Sequence, residues 1–243
     1  MIAIDPEIAA AELLAAAEIV GPPVDLLALC ERWPSLRVSF ADLDGAGYLI
    51  DLGVQGSELL LRRRDSPRRQ RYTLAHELGH WVLQGNQHAL LTHTPHAIVE
   101  RWCDRFAAAL LMPAAWVTEA LGMTADVETI AQMDAYFEVS RQAALLRVGE
   151  LVPVDLALAD PVGKGPMFAW STSREQAGRL DWVAQDWLRE QLKMADDLLR
   201  LSIDGIELQA TRLNCSRWLV ALSATAALRL WQGRVGQAHQ ATQ

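Results

Sequence analysis

Two histidines four residues apart, with a glutamate beside the first, stand in YTLAHELGHWVL, residues 72–83. On a helix, His76 and His80 lie one turn apart on the same face, so two neutral imidazoles can converge on one cation. Glu77 falls on the rim of that face. In this H-E-x-x-H arrangement the glutamate accepts a proton from water that the metal activates. The competing reading is a pair of surface histidines on an amphipathic helix, and the surrounding residues must separate the two.

A catalytic zinc usually has three protein ligands and one open position. A third histidine six residues after His80 would fall at position 86, which is Asn, so that ligand pattern fails. His88, His93 and His96 fall in an expected loop between helices and read as loop or rim residues. The segment ERWCDRFAAALLMP, residues 100–113, offers a stronger candidate. Glu100 and Asp104 are four apart on one helical face, a like-charge pair costing an isolated helix about 0.2–0.5 kcal/mol. A nearby divalent charge reverses that penalty. Glu100 lies 20 residues beyond His80, room enough for a loop and a return helix packed antiparallel to the first.

This E-x-x-x-D spacing after H-E-x-x-H resembles the gluzincin class of zinc peptidases. The resemblance implies that Glu100 is the third metal ligand and that Asp104 orients His76 through its distal nitrogen. The two motifs in this order, ending in F-A-A-x-L-L-M-P, resemble more specifically the ImmA/IrrE family of intracellular bacterial metallopeptidases, over about residues 40–150. Trp102 stands where many members carry a second glutamate, and Cys103 where they often carry alanine. The resemblance implies a cytoplasmic zinc endopeptidase, with manganese as the alternative metal. It also implies a helix-turn-helix transcriptional repressor as substrate, whose cleavage derepresses stress-response or mobile-element genes. Tyr72, His88, His93 and His96 stay open as donors to the developing oxyanion.

The elements that must position these groups follow from periodicity. Residues 7–19 and 24–32 have helical spacing. Residues 36–40, 47–51 and 58–62 read as strands between Gly and Asp turns. Helices are expected from residue 67 to about 83 and over 97–112, the latter stopped by Pro113. Residues 114–151 read as helical, with Ser140 placed to cap the last helix. Three prolines and two glycines make 152–166 read as a linker. Beyond it, a strand over 167–171 and a helix opened by a Ser173/Gln176 capping box and running to about 199 are expected. Residues 206–213 and 218–222 alternate like an antiparallel strand pair.

The expected fold is α+β: a zincin-like core with a short antiparallel sheet over residues 1–113, a helical helix-turn-helix-like segment over 114–151, the linker, and a small α/β domain over 167–243. The last resembles the GAF-like sensor domain some family members carry, with a docking surface as the other reading. Its Trp170, Trp182, Trp187, Trp218 and Trp231 read as core or interface residues.

At 243 residues, 51% of them hydrophobic, the chain is long enough to bury about 70–75% of its unfolded surface without staples. The N-terminal stretch carries Asp5, Glu7, Glu12 and Glu18, unlike a secretory signal, and no run of about 18 apolar residues suggests a membrane span. Cys30, Cys103 and Cys215, odd in number and far apart, suggest reduced thiols. The net charge of −8 disfavours direct DNA binding. Residues 126–150 carry five acidic residues against two arginines, so packing or repressor docking suits that segment better than phosphate contact. The basic stretch RRRDSPRRQR, residues 62–71, reads as a solvated face. A non-enzymatic metal-binding regulator that sequesters a repressor and a DNA-binding transcriptional regulator are the alternatives.

Overall fold

The computed structural model describes residue 2 and residues 4–91, 94–122, 125–162, 168–171, 182–203 and 206–224. Helix α1 (Pro6–Ala16) opens with proline in its first turn, and the Asp5 carboxylate accepts the Glu7 N–H at 2.8 Å. Asp25 caps α2 (Leu26–Glu31) through the N–H groups of Leu27 and Ala28. Three strands follow: β1 (Leu36–Ala41), β2 (Gly47–Asp51) and β3 (Ser57–Arg62). They pair in the order β1-β3-β2. The pairing of β2 with β3 is antiparallel, but β1 runs parallel to β3, so the sheet is mixed and not the antiparallel one expected.

The sheet supports α3 (Pro67–Leu91), which packs against α4 (His96–Leu111). Leu59 and Leu61 of β3 are buried, as are Leu74, Ala75 and Leu78 of α3, which packs on that strand. Gly47 lets β2 approach α3 closely: a Cβ there would stand 2.5 Å from the Thr73 Cγ2. Helix α3 runs to Leu91 where sequence reading ended it near residue 83, so His88 belongs to the helix and not to a loop. Trp102 of α4 donates its indole N–H to the Ile4 carbonyl at 2.7 Å and stacks on Phe106. Three arginines of the basic stretch reach main-chain carbonyls: Arg62, Arg63 and Arg64 donate to those of Asp44, Phe40 and Leu43, and Arg62 also pairs with the Asp65 carboxylate at 2.8 Å.

Helices α5 (Ala114–Leu121), α6 (Val127–Tyr136) and α7 (Arg141–Leu151) come next. The Ala143 N–H donates to the Ser140 hydroxyl at 3.2 Å, as the capping expectation requires. Strand β4 (Asp155–Ala159) lies within the stretch expected as a linker. Its buried Leu156, Ala157 and Ala159 outweigh the prolines, which flank the strand and leave its ladder intact. With β5 (Phe168–Ser171), β6 (Leu198–Ile203), β7 (Ile206–Arg212) and β8 (Trp218–Ala224) it forms an antiparallel sheet ordered β5-β4-β8-β7-β6. Helix α8 (Trp182–Met194) supplies Leu188 and Leu192 to a core with Leu208, Val220 and the fully buried Trp218. The helix expected to reach residue 199 stops at Met194, because 198–203 pair in the sheet. The Ser173/Gln176 capping box and Trp231 lie outside the described residues.

Two compact units result, and they interleave along the chain. One comprises residues 1–116 and 135–143, the other residues 117–134 and 144–243. The first division therefore falls inside α5, where the sequence placed it at 113. In the second unit, α6 is tied to the sheet: the Val127 N–H donates to the Gln209 side chain at 3.2 Å, and Arg200 pairs with Glu128 at 3.3 Å. Among the described residues, no helix is long and apolar enough to cross a membrane.

Candidate metal centre

Residues 76 and 80 of α3 face residues 104 and 100 of α4, so the two helices run antiparallel where they meet. Gly79 permits the approach, since a Cβ there would lie 3.2 Å from the Cys103 Cα. His76 and His80 bring their Nε2 atoms to 3.2 Å of each other. The Glu100 carboxylate spans both, with Oε2 at 3.4 Å from His76 Nε2 and Oε1 at 3.3 Å from His80 Nε2. Two nitrogens held about 2.05 Å from a tetrahedral zinc would be about 3.3 Å apart. The two imidazoles thus hold their Nε2 atoms at the spacing a tetrahedral cation requires, one Glu100 oxygen stands close to each, and the donor set of two imidazoles and a carboxylate fits zinc.

The protonation states agree with this. Asp104 Oδ1 lies 3.0 Å from His76 Nδ1, and an ionised carboxylate can only accept. The proton is therefore on Nδ1, and the Nε2 lone pair faces His80 and Glu100. Burial pulls the His80 pKa down and the neighbouring His76 adds to this, against the opposing charge of Glu100. A neutral imidazole is the form that binds a metal.

Glu77 is only 9% exposed, beside this cluster. Burial raises its pKa, and the charge of Glu100 raises it further. His76 and a hydrogen bond donated by the Leu49 backbone N–H oppose the shift. A carboxylate with its pKa moved up from the usual range is better matched to taking protons near neutrality. The bond from Leu49 also fixes where it points, which is the local consequence of β2 lying against α3.

Two further side chains border the cluster. The Cys103 Sγ and the donor atoms of His76 and His80 all lie within 4.8 Å of one another. The Glu100 oxygens stand 3.3–3.4 Å from the two Nε2 atoms, and Cys103 is fully buried, its thiol pushed well up by burial and then by the charges of Glu100, Glu77 and Asp104. Cys103 therefore reads as a wall of the site, with Glu100 the better third donor. His96, 86% exposed at the start of α4, holds Nε2 at 3.4 Å from Glu100 Oε1.

His76, His80, Glu77, Glu100 and Asp104 are thus brought together, as their spacing anticipates. Tyr72 differs: its hydroxyl donates to Asp104 Oδ1 at 3.0 Å, behind His76, and so is engaged away from an oxyanion. That placement was legible in part, since Tyr72 precedes His76 by one helical turn and shares its face. His93 lies outside the described residues.

Comparison with known proteins bears on the same region. The peptidase M78 family, described as the IrrE N-terminal-like domain, matches residues 35–148. The radiation response metalloprotease IrrE of Deinococcus radiodurans is 31% identical over 176 residues, 68% of this chain and 52% of that protein. This chain thus spans about half the length of that curated relative. Among solved structures, a Mycobacterium tuberculosis transcriptional regulator superposes with a TM-score of 0.56 at 13% identity, covering 93% of this chain and 77% of that one, a likeness of fold alone.

Proposed function

The chain belongs, through residues 35–148, to the ImmA/IrrE family of M78 peptidases, and from that premise we propose that it is a metal-dependent endopeptidase. The observation that supports this reading is the convergence of the His76 and His80 Nε2 atoms with the Glu100 carboxylate, the buried Glu77 carboxylate standing beside them. His76, His80 and Glu100 would hold the cation, zinc by its ligand preference, with manganese as the alternative. When bound, the cation would supply a Lewis acid that polarises a peptide carbonyl and acidifies a water molecule.

The remaining steps belong to the protein. Glu77, oriented by the Leu49 N–H, takes the proton from the attacking water and hands it to the leaving amine. Asp104 keeps His76 in the tautomer whose Nε2 faces the cation. His96, exposed beside Glu100, offers an imidazole N–H to the oxyanion that develops on the carbonyl.

The substrate in this reading is a helix-turn-helix transcriptional repressor, and its cleavage derepresses stress-response or mobile-element genes in the cytoplasm. Family resemblance supports this part, since the metal chemistry is indifferent to which protein is cut. The test is to incubate zinc-loaded protein with repressors encoded beside its gene and map fragments by mass spectrometry. Cleavage by the parent and none by Glu77→Gln is expected. Intact repressors with a fully zinc-loaded parent would refute the substrate assignment.

A further inference from the structure

We propose that the Tyr72 hydroxyl is a positioning group for the metal centre, acting through Asp104 and touching neither cation nor substrate. The inference rests on the reading of His76, His80 and Glu100 as the metal's ligands.

One oxygen carries the argument. Asp104 Oδ1 lies 3.0 Å from the Tyr72 hydroxyl and 3.0 Å from His76 Nδ1. The Asp104 side chain is 54% exposed, so water competes for it. It has these two partners among the described residues. His76 is the group to be oriented, which leaves the phenol as the group that does the orienting. Tyr72 is suited to this. It is half-buried on the rigid helix that carries His76, one turn earlier, and its ring has few rotamers to lose. The hydroxyl can only donate to an ionised carboxylate, so it adds a second donor to Oδ1 without competing for the His76 proton.

Without that donor, Asp104 spends part of its time turned to water. His76 then loses the fixed acceptor for its Nδ1–H, and Nε2 is less often correctly aimed. The protein should pay for this in metal affinity while its fold is untouched, because phenylalanine keeps the ring and removes one partly exposed hydrogen bond.

The experiment uses the full chain in four forms: parent, Tyr72→Phe, Asp104→Ala and the double variant. Zinc affinity is read by competition with a chromogenic chelator, alongside thermal unfolding of the metal-free proteins. Asp104→Ala should weaken zinc binding about 10–100-fold, as loss of a ligand-orienting group does, and Tyr72→Phe by less, about three- to tenfold. In the Asp104→Ala background, Tyr72→Phe should have no further effect, and the metal-free melting temperature of Tyr72→Phe should match the parent. The downfield His76 Nδ1–H proton resonance should exchange faster with water in Tyr72→Phe. Parent-like affinity in Tyr72→Phe, or the same loss with and without Asp104, would overturn the proposal and leave the peptidase reading standing. Failure of the parent itself to bind zinc would overturn the ligand reading, and this proposal with it.

Discussion

Placing a methyl group on Gly79 should weaken metal binding more than it weakens the fold. The added Cβ would stand 3.2 Å from the Cys103 Cα and 3.2 Å from the Phe106 Cδ1. Carbon atoms prefer about 3.5–4.0 Å, so the contact is short by several tenths of an ångström. Neither neighbour can turn aside, because one is backbone and the other a fully buried ring. Helices α3 and α4 must therefore separate. Overpacking of this kind costs about 1–3 kcal/mol, while alanine in place of a helical glycine returns about 1 kcal/mol. Metal-free Gly79→Ala should thus be destabilised by about 0–2 kcal/mol. The metal centre has less tolerance, since the histidines stand on one helix and Glu100 on the other, and donor positions must hold to about 0.5 Å. If closing the helices around the cation costs about 1–2 kcal/mol, zinc affinity falls about 5–30-fold. Gly79→Val should fall further on both scales. Chelator competition and thermal unfolding of the metal-free proteins measure the two quantities separately. A Gly79→Ala protein that melts higher than its parent and binds zinc as tightly would refute the reasoning.

Other substitutions address the remaining parts. His76→Ala, His80→Ala and Glu100→Ala should each purify with strongly reduced metal, checked by elemental analysis; normal content in Glu100→Ala would return Cys103 to consideration as the third donor. Glu77→Gln should keep its metal and lose cleavage, since an amide cannot accept the water proton. Burial raises the Glu77 pKa, so the folded protein holds that proton more tightly than the unfolded chain. Stability from this group is complete below the unfolded pKa and lost as pH rises through the raised folded one. Metal-free Glu77→Gln, permanently neutral there, should melt above its parent at about pH 7, with the gap closing towards about pH 4. A chain ended at residue 152 should be insoluble or fail to unfold cooperatively in urea, because it keeps α6 but removes the β7 residue Gln209 that bonds Val127. A soluble 1–152 protein with one sharp transition would show that the second unit is dispensable to the first.

Much of the candidate site's geometry was readable because its signals are local. The i, i+4 spacings of His76/His80 and Glu100/Asp104 specify shared helix faces whatever the rest of the chain does. Alternation also located β2 to the residue and β1 and β3 to within one, since each is bounded by Gly or Asp turns. What escaped depends on partners distant in sequence. The parallel pairing of β1 with β3 leaves no mark in either strand taken singly. Strand β4 was hidden because Pro153, Pro161 and Gly163 dominate its surroundings, while the evidence for it, burial against β8, lies some 60 residues away. The Leu49 N–H bond to Glu77 is a main-chain contact that any residue at that position could make, so no side chain announces it.

The arginines at the end of β3 have an effect on how this chain can vary. Arg62 and Arg64 grip the connection between β1 and β2 by the carbonyls of Asp44 and Leu43, and Arg63 holds the end of β1 by the carbonyl of Phe40. Every amino acid carries that carbonyl, so the grip is blind to side-chain identity. Spelling and path are thereby decoupled: residues 42–44 can drift, or be randomised in a display library, while the loop keeps its course. Length is another matter. Inserting or deleting one residue would slide the carbonyls past their guanidinium partners, so a library there should tolerate substitutions widely and indels hardly at all.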